Sequence, residues 1–318
     1  MTASQSRWNL LAGRYIDRLA QWRKDEARLR AALEDPRTLL VPVWNDKHWI
    51  RSAQGAVSAL LIEDARRYVQ TGAGELVWLG EFRQRACFAI AIKNPDPPDL
   101  FEAAELRELK SIVGELPAEE AGLLAYARAM VHWSERHRFC GRCGAPTRAM
   151  QAGHVRQCTN ETCGTQDFPR IDPAIIVLIK DGERALLGRQ ANWPPGRYST
   201  IAGFVEPGES LEDAVVREVF EETGIEVDDV EYHSSQPWPF PASLMLGFTG
   251  RARTTQIRRN DGELDDARWV TREQIAAGEI ALPLTHSISF RLIEDWFNAG
   301  AAVPLREQPH ARMWQRPR

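Results

Sequence analysis

The chain has 318 residues, 43% of them hydrophobic and 26% charged, with a net charge of −4. That length allows two ordinary domains and a substantial core, and the slightly acidic balance argues against a general nucleic-acid coat or a membrane-surface protein. No apolar run reaches transmembrane length and the opening MTASQSRWNLL lacks the apolar centre of a signal peptide, so a cytoplasmic location is expected.

Residues 1–35 are rich in Arg, Glu, Ala and Leu, and the pattern predicts a helix over 15–33 that stops before Asp35-Pro36. Short β-type runs follow at 38–44, 48–52, 57–62, 75–79 and 85–92, with tight turns at Asn45-Asp46 and Gly72–Gly74. A Pro/Asp loop (KNPDPPDL) spans 93–100, and a helix is expected over 101–110. Residues 1–115 carry no recognisable chemistry; an antiparallel sheet with flanking helices, serving assembly or scaffolding, is expected there. Cys87 reads as a buried core thiol. Residues 118–137 have helical spacing and read as a connector, with His132 and His137 as surface or packing residues.

Cys140-Gly-Arg-Cys143 is followed, fourteen residues later, by Cys158-Thr-Asn-Glu-Thr-Cys163. Two cysteine pairs at such spacing point to a metal site in a reducing compartment rather than a disulfide framework. Four thiolates make a closed tetrahedral zinc site with no position for a reacting water, so a structural Zn²⁺ is expected. The second gap, of four residues, is longer than the usual two. Five arginines between Arg138 and Arg170 against Glu161 and Asp167 give the ribbon only slight basicity.

Residues 174–180 (AIIVLIK) suit a strand buried on both faces; a turn at Asp181-Gly182 returns a second strand over 184–189. Residues 198–203 lead into GFVEPGESLEDAVVREVFEETGI, residues 203–225. Ser210 with Asp213 is a capping-box-like helix start and Gly224 a stop, which predicts a helix over 211–223. On it Glu218, Glu221 and Glu222 stand at i, i+3 and i+4, on a stripe continuing Ala214 and Leu211 inward. Carboxylates converging on a partly buried wall repel unless a cation lies between them, and hard oxygen ligands suit Mg²⁺ or Mn²⁺. Arg217, four residues before Glu221, can hold that carboxylate in place. Gly203, Glu209 and the run from Arg217 to Ile225 resemble the Nudix box at every fixed position. The resemblance implies hydrolysis of a nucleoside diphosphate linked to another moiety.

After a strand over 226–233 comes Ser235-Gln-Pro-Trp-Pro-Phe-Pro-Ala-Ser243. Alternating prolines fix φ and forbid helix, so the segment is stiff and presents Trp238 and Phe240 in set orientations, suited to stacking on a planar ring. Read on composition alone it is a loop packing its own aromatics. Placed shortly after a Nudix box, it resembles the signature of the NADH pyrophosphatase group of the Nudix superfamily.

That resemblance covers most of the chain and implies cleavage of NADH and NAD⁺ to nicotinamide mononucleotide and AMP, by a homodimer using Mg²⁺ or Mn²⁺; bacterial members also remove NAD caps from RNA. The metal-binding acids correspond to Glu218, Glu221, Glu222 and the later Glu263. Among them Glu222 is expected to be the acid that orients or deprotonates the water, with Glu209 and Arg217 supporting it. Substrate-binding positions correspond to Phe204, Gln236, Trp238, Ser243 and Met245. A tyrosine lent by the partner subunit is replaced here by Phe168, which loses a hydroxyl contact.

Strands are expected over 244–252 and 268–270 around an exposed loop at 253–261, then helices over 271–277 and 287–298. The expected fold is α+β: an N-terminal Nudix-like sheet domain with its connector helix (1–137), a zinc ribbon (138–168), a catalytic Nudix α/β/α sandwich (169–299) and a mobile tail (300–318). Two rival readings stay open: the same chemistry on ADP-ribose or a dinucleoside polyphosphate, and a zinc-ribbon RNA-binding protein with a degenerate hydrolase domain.

Overall fold

The computed structural model describes residues 9–66, 74–260 and 262–314; the turn expected at 72–74 falls mostly outside them. The chain divides into two compact units, one of residues 10–171 with 238–242, the other of Asn9, 172–237 and the residues from 243 onward. Among the described residues no helix is long and apolar enough to cross a membrane.

In the first unit, a five-stranded sheet has the order β1-β6-β7-β2-β5, formed by Ile16–Asp17 (β1), Leu39–Val43 (β2), Ile62–Glu63 (β5), Leu76–Phe82 (β6) and Arg85–Ala91 (β7). Lys47–Ala53 (β3), Ala56–Ala59 (β4) and Glu105–Glu108 (β8) make a second sheet ordered β4-β3-β8. The five-stranded sheet is not antiparallel throughout: β2 runs parallel to β7, from Leu39 opposite Cys87 to Val43 opposite Ala91. An apolar run such as LLVPV specifies burial on both faces but not the direction of its neighbour.

Two helix expectations are corrected here. Over 15–33 the chain instead forms β1, a 3₁₀ turn at Ala20–Lys24 and the helix Glu26–Glu34 (α1). Leu19 sits in the left-handed region at φ 40°, and Asp25 caps α1 by accepting the Arg28 amide. Between 101 and 110 the chain pairs as β8 with β3, Glu108 opposite Lys47, and only Leu109–Ile112 (α2) turns helically. In both places ladder bonds to a waiting strand outweigh weak local propensity.

The helix Ala118–Arg136 (α3) is more than a connector. Its Leu123, Leu124, Ala127, Met130 and Val131 share one core with Val41, Val77, Leu79 and Ala89.

The second unit is built on Asp172–Asp181 (β12). One side pairs in parallel with Ser243–Ala252 (β16). The other side is shared: Ile201–Phe204 (β14) takes residues 174–177, and Arg184–Gln190 (β13) takes 179–181, both antiparallel. Val227–Trp238 (β15) lies beyond β16, and Leu264–Thr271 (β17) beyond β13. Alternate side chains of β12 explain its unbroken apolar run. Ile175, Val177 and Ile179 join a core with Val215 and Val219 of the helix Leu211–Thr223 (α4). After Arg272–Ala276 (α5), Ile176 and Leu178 join another core with Phe290, Ile293 and Phe297 of Ile288–Gly300 (α6). Helix, sheet and helix thus form three layers.

The segment from residue 301, expected as a mobile tail, is packed over 301–314. Leu305 is fully buried. Arg312–Met313 (β19) pairs in parallel with Ala281–Leu282 (β18), and the Trp314 ring lies edge-on to Trp193 at 4.8 Å. Its scattered Leu, Met and Trp side chains find apolar partners that its Pro/Arg/Gln composition conceals.

Candidate active site and zinc centre

The capping box anticipated at the start of α4 is present: Ser210 accepts the Asp213 amide while the Asp213 carboxylate reaches the Ser210 amide. Gly224 ends the helix at φ 68°. The buried stripe reads Ala214, Val215, Glu218, Val219, Glu222, Thr223, so two carboxylates continue an apolar line inward. Glu218 is 9% exposed and Glu222 4%, whereas Glu221 points outward.

Arg217 ties the acids together. It pairs with both oxygens of Glu209, donates to Glu218 and Glu221 at 2.9 Å each, and to the Phe204 carbonyl at 2.9 Å. A guanidinium's fan of five N–H donors makes this possible where a lysine could not. The Arg217 bond, with the Glu206 amide behind it, holds the Glu209 carboxyl down to about 2. Burial pushes Glu218 up against the pull of Arg217, and the charges of Glu221 and Glu263 push it further. Glu263, forty-five residues on in sequence, therefore lies within electrostatic reach of Glu218.

Residues on neighbouring strands place Phe204 and Met245. Phe204 and Met245 are both register partners of Ala174, one on each side of β12, so the three form a row across the sheet. Met245 packs against the core beneath α6, and Phe204 is 60% exposed at the open end of that row. Ser243 begins β16 opposite Asp172. Gln236 is buried, and its amide is engaged at the start of α6: it donates to the His286 carbonyl and accepts the Ile288 amide, 2.9 Å each. Its hydrogen bonds anchor a strand to a helix start, a use that the motif itself does not disclose.

Several residues here were not anticipated. The stretch 253–263 has no regular structure over its described residues, yet it covers the carboxyl end of α4. The Arg258 amide donates to the Thr223 carbonyl at 2.7 Å and the Asn260 side chain to the Phe220 carbonyl at 3.1 Å. Helix C-termini leave carbonyls needing donors, but which distant residue provides them is not readable locally.

In the first unit the ribbon forms Thr147–Met150 (β9), Val155–Cys158 (β10) and Gln166–Asp167 (β11), ordered β11-β10-β9. Among the described residues the four cysteines are the group whose ligand atoms all lie within 4.8 Å of one another. Cys140 and Cys163 Sγ are 3.8 Å apart, Cys143 and Cys158 Sγ 3.4 Å. These separations fit four thiolates around one Zn²⁺ with Zn–S bonds of about 2.3 Å. The longer second gap is absorbed by Asn160, whose side-chain oxygen accepts from both the amide and the hydroxyl of Thr162. The ribbon is fastened to its unit by buried Arg156, which pairs with Glu75, and by the His154 ring, which donates to the Trp78 carbonyl at 2.7 Å. Phe168, just beyond, is 58% exposed.

Trp238 ends β15 and begins the five residues that belong to the first unit. Its ring meets Phe240 edge to face, 5.0 Å between centroids and 78° between planes.

The chain matches the NUDIX domain over residues 170–294, the NADH pyrophosphatase-like rudimentary NUDIX domain over 31–133 and the NADH pyrophosphatase zinc ribbon domain over 135–166. It is 42% identical over 219 residues to the NAD-capped RNA hydrolase NudC of Mycobacterium bovis, a match covering 64% of this chain and 68% of that one. With the protein of that name from Stutzerimonas stutzeri it shares 39% over 216 residues, 68% and 75% of the two chains. With the NAD-capped RNA hydrolase NUDT12 of Homo sapiens it shares 42% over 197 residues, 57% of this chain and 43% of that one; it thus spans less than half the length of that relative and of its Macaca fascicularis counterpart. Rudimentary N-terminal domain, cysteine ribbon and acid-bearing helix, in that order and at this identity, show that the chain belongs to the NADH pyrophosphatase family of Nudix hydrolases.

Proposed function

We propose that this chain hydrolyses the pyrophosphate of NADH and NAD⁺ to nicotinamide mononucleotide and AMP, and that NAD caps on RNA are within its range. One observation carries the reading: Arg217 gathers Glu209, Glu218 and Glu221 at a helix stripe that also buries Glu222. Burying carboxylates side by side costs stability, which a purely structural or RNA-binding domain has no reason to retain. The SQPWPFPAS segment and the relatives named as NAD-capped RNA hydrolases support a dinucleotide as substrate.

Glu218, Glu221, Glu222 and Glu263 would hold Mg²⁺ or Mn²⁺. The donor set fits: it is all oxygen, and the crowding that raises Glu218 is what a divalent cation relieves. When bound, the ions neutralise phosphate oxygens and lower the pKa of a water. Glu222 takes the proton of the attacking water, whose oxygen bonds to one phosphorus while the bridging P–O bond breaks and its oxygen keeps the electron pair. Arg217 and Glu209 hold Glu218 and Glu221 in their orientations, so little rearrangement is needed as charge develops. Phe204 stacks on a ring of the substrate, and Ser243 and Met245 are further recognition residues. Trp238, on the strand that Gln236 fixes, offers a stacking face to the nicotinamide ring. Zn²⁺ on the four cysteines is structural. The protein works as a cytosolic homodimer, with Phe168 lent to the partner's pocket.

The test is kcat/KM of the purified protein for NADH, NAD⁺, ADP-ribose and NAD-capped RNA with Mg²⁺ or Mn²⁺, products identified by mass. Mononucleotide plus AMP from NADH or NAD⁺, preferred over ADP-ribose by about tenfold or more, is expected. Absence of turnover on both dinucleotides would sink the reading.

A further inference from the structure

The aromatic segment has an unusual hydrogen-bonding problem. Pro237, Pro239 and Pro241 have no N–H, so the segment can donate to few of its own carbonyls. Within it, the Phe240 amide turns back to the Trp238 carbonyl at 2.7 Å. Pro239 is buried, and a buried carbonyl without a donor is costly. The donor comes from α3: Arg128, itself 8% exposed, reaches the Pro239 carbonyl with one terminal nitrogen. With the other it donates to Asp46 at 2.9 Å. Its guanidinium also lies over the Phe240 ring, 5.2 Å from the centroid.

Each contact is built from the sequence around it. Asp46 occupies the turn between β2 and β3, where Asn45 and Asp46 both have positive φ, 46° and 63°. The turn carries the carboxylate to α3, where His132, one helical turn after Arg128, also meets it at 3.1 Å. Phe240 packs against the core that α3 shares with the sheet. A line of contact therefore runs from Asp46 to Arg128, to Phe240 and to the edge-on Trp238 ring.

We propose that Arg128 is a positioning residue for substrate recognition, holding the Pro239 carbonyl and the Phe240 ring so that Trp238 is presented in one orientation. The inference rests on the dinucleotide reading above and gives the rudimentary domain a role in specificity: it fixes the recognition segment and touches no reacting atom. Preorganising a ring lowers the cost of stacking on it, so the effect belongs in KM rather than kcat.

The test compares Arg128→Met, which keeps most of the volume but no donor, and Arg128→Lys with the wild type. A third variant, Phe240→Leu, keeps the apolar contact and removes the ring face. KM and kcat are measured for NADH and for ADP-ribose, which lacks the nicotinamide, and folding is checked by thermal melting. In Arg128→Met and Phe240→Leu the KM for NADH should rise roughly five- to tenfold with kcat within about twofold, and the KM for ADP-ribose should stay unchanged. Arg128→Lys, which retains one donor and the charge, should recover part of the loss. A folded Arg128→Met or Phe240→Leu with wild-type KM for NADH overturns the inference alone. Equal rises for NADH and ADP-ribose overturn it too, since a merely structural role loosens both. A wild type that cleaves neither dinucleotide overturns the functional reading and this inference with it.

Discussion

The Glu218 carboxyl group lies directly over Gly203: a Cβ on that glycine would fall 1.9 Å from the carboxyl carbon. The glycine needs space here, not a special backbone conformation. Because the obstructing group is the end of a flexible side chain, Gly203→Ala should move Glu218 rather than unfold β14. Activity should fall at least about tenfold with a raised Mn²⁺ requirement, while the melting temperature falls only a few degrees. Direct Mn²⁺ titration by electron paramagnetic resonance, alongside kinetics, checks this; unchanged metal affinity would show that Glu218 is no ligand.

Glu222 tests the assignment of the base. Glu222→Gln keeps the size of the side chain and removes its charge, so kcat should drop by about 10²–10⁴ while dinucleotide still binds. Retention of more than a tenth of wild-type kcat would place the proton acceptor elsewhere.

Zinc removal should act on folding first. The thiolates close one end of a ribbon that Arg156–Glu75 and His154–Trp78 fasten to the unit. Cys143→Ser or chelation should therefore lower the melting temperature and solubility at conditions where the surviving folded protein keeps its kcat. Metal analysis of protein purified without chelator should find one zinc per chain.

Acid should destabilise the protein through two buried histidines. Burial, joined by nearby arginine charge, drops the fully buried His48 to about 3; burial drops His154 to about 4 against its bond to Trp78. Both remain neutral in the fold while the unfolded chain protonates them near pH 6.5. Their contribution is intact above that pH and is lost as pH falls from about 6.5 toward 4, by up to about 1.4 kcal/mol per pH unit for each. Urea unfolding across this range should show the slope, and His48→Phe, if folded, should reduce it by close to one proton.

Helix limits at 211 and 223, the paired cysteines and a two-faced strand over 174–180 were legible because each depends on neighbours within a few residues: caps, knuckle spacing, an unbroken apolar run. What escaped local reading was settled by partners far away in sequence. Within the stretch expected as helix over 101–110, residues 105–108 took β form because β3 offered them a ladder, and β2 lay parallel to β7 although LLVPV says nothing of direction. The packed segment after residue 301 drew its order from cores made elsewhere.

The candidate site divides along the same line. By itself the sequence determined which acids share a helix face, since 3.6 residues per turn puts Glu218 and Glu222 on one stripe whatever surrounds it. Only tertiary structure decided how they are held: Arg217 reaching back to Glu209, Glu263 approaching from forty-five residues away, Gln236 spent on the start of α6, and Arg128 answering a carbonyl that three prolines leave without local donors. Helical periodicity is a property of the backbone, but the partner of a buried polar group is whichever donor or acceptor the completed fold brings within about 3 Å.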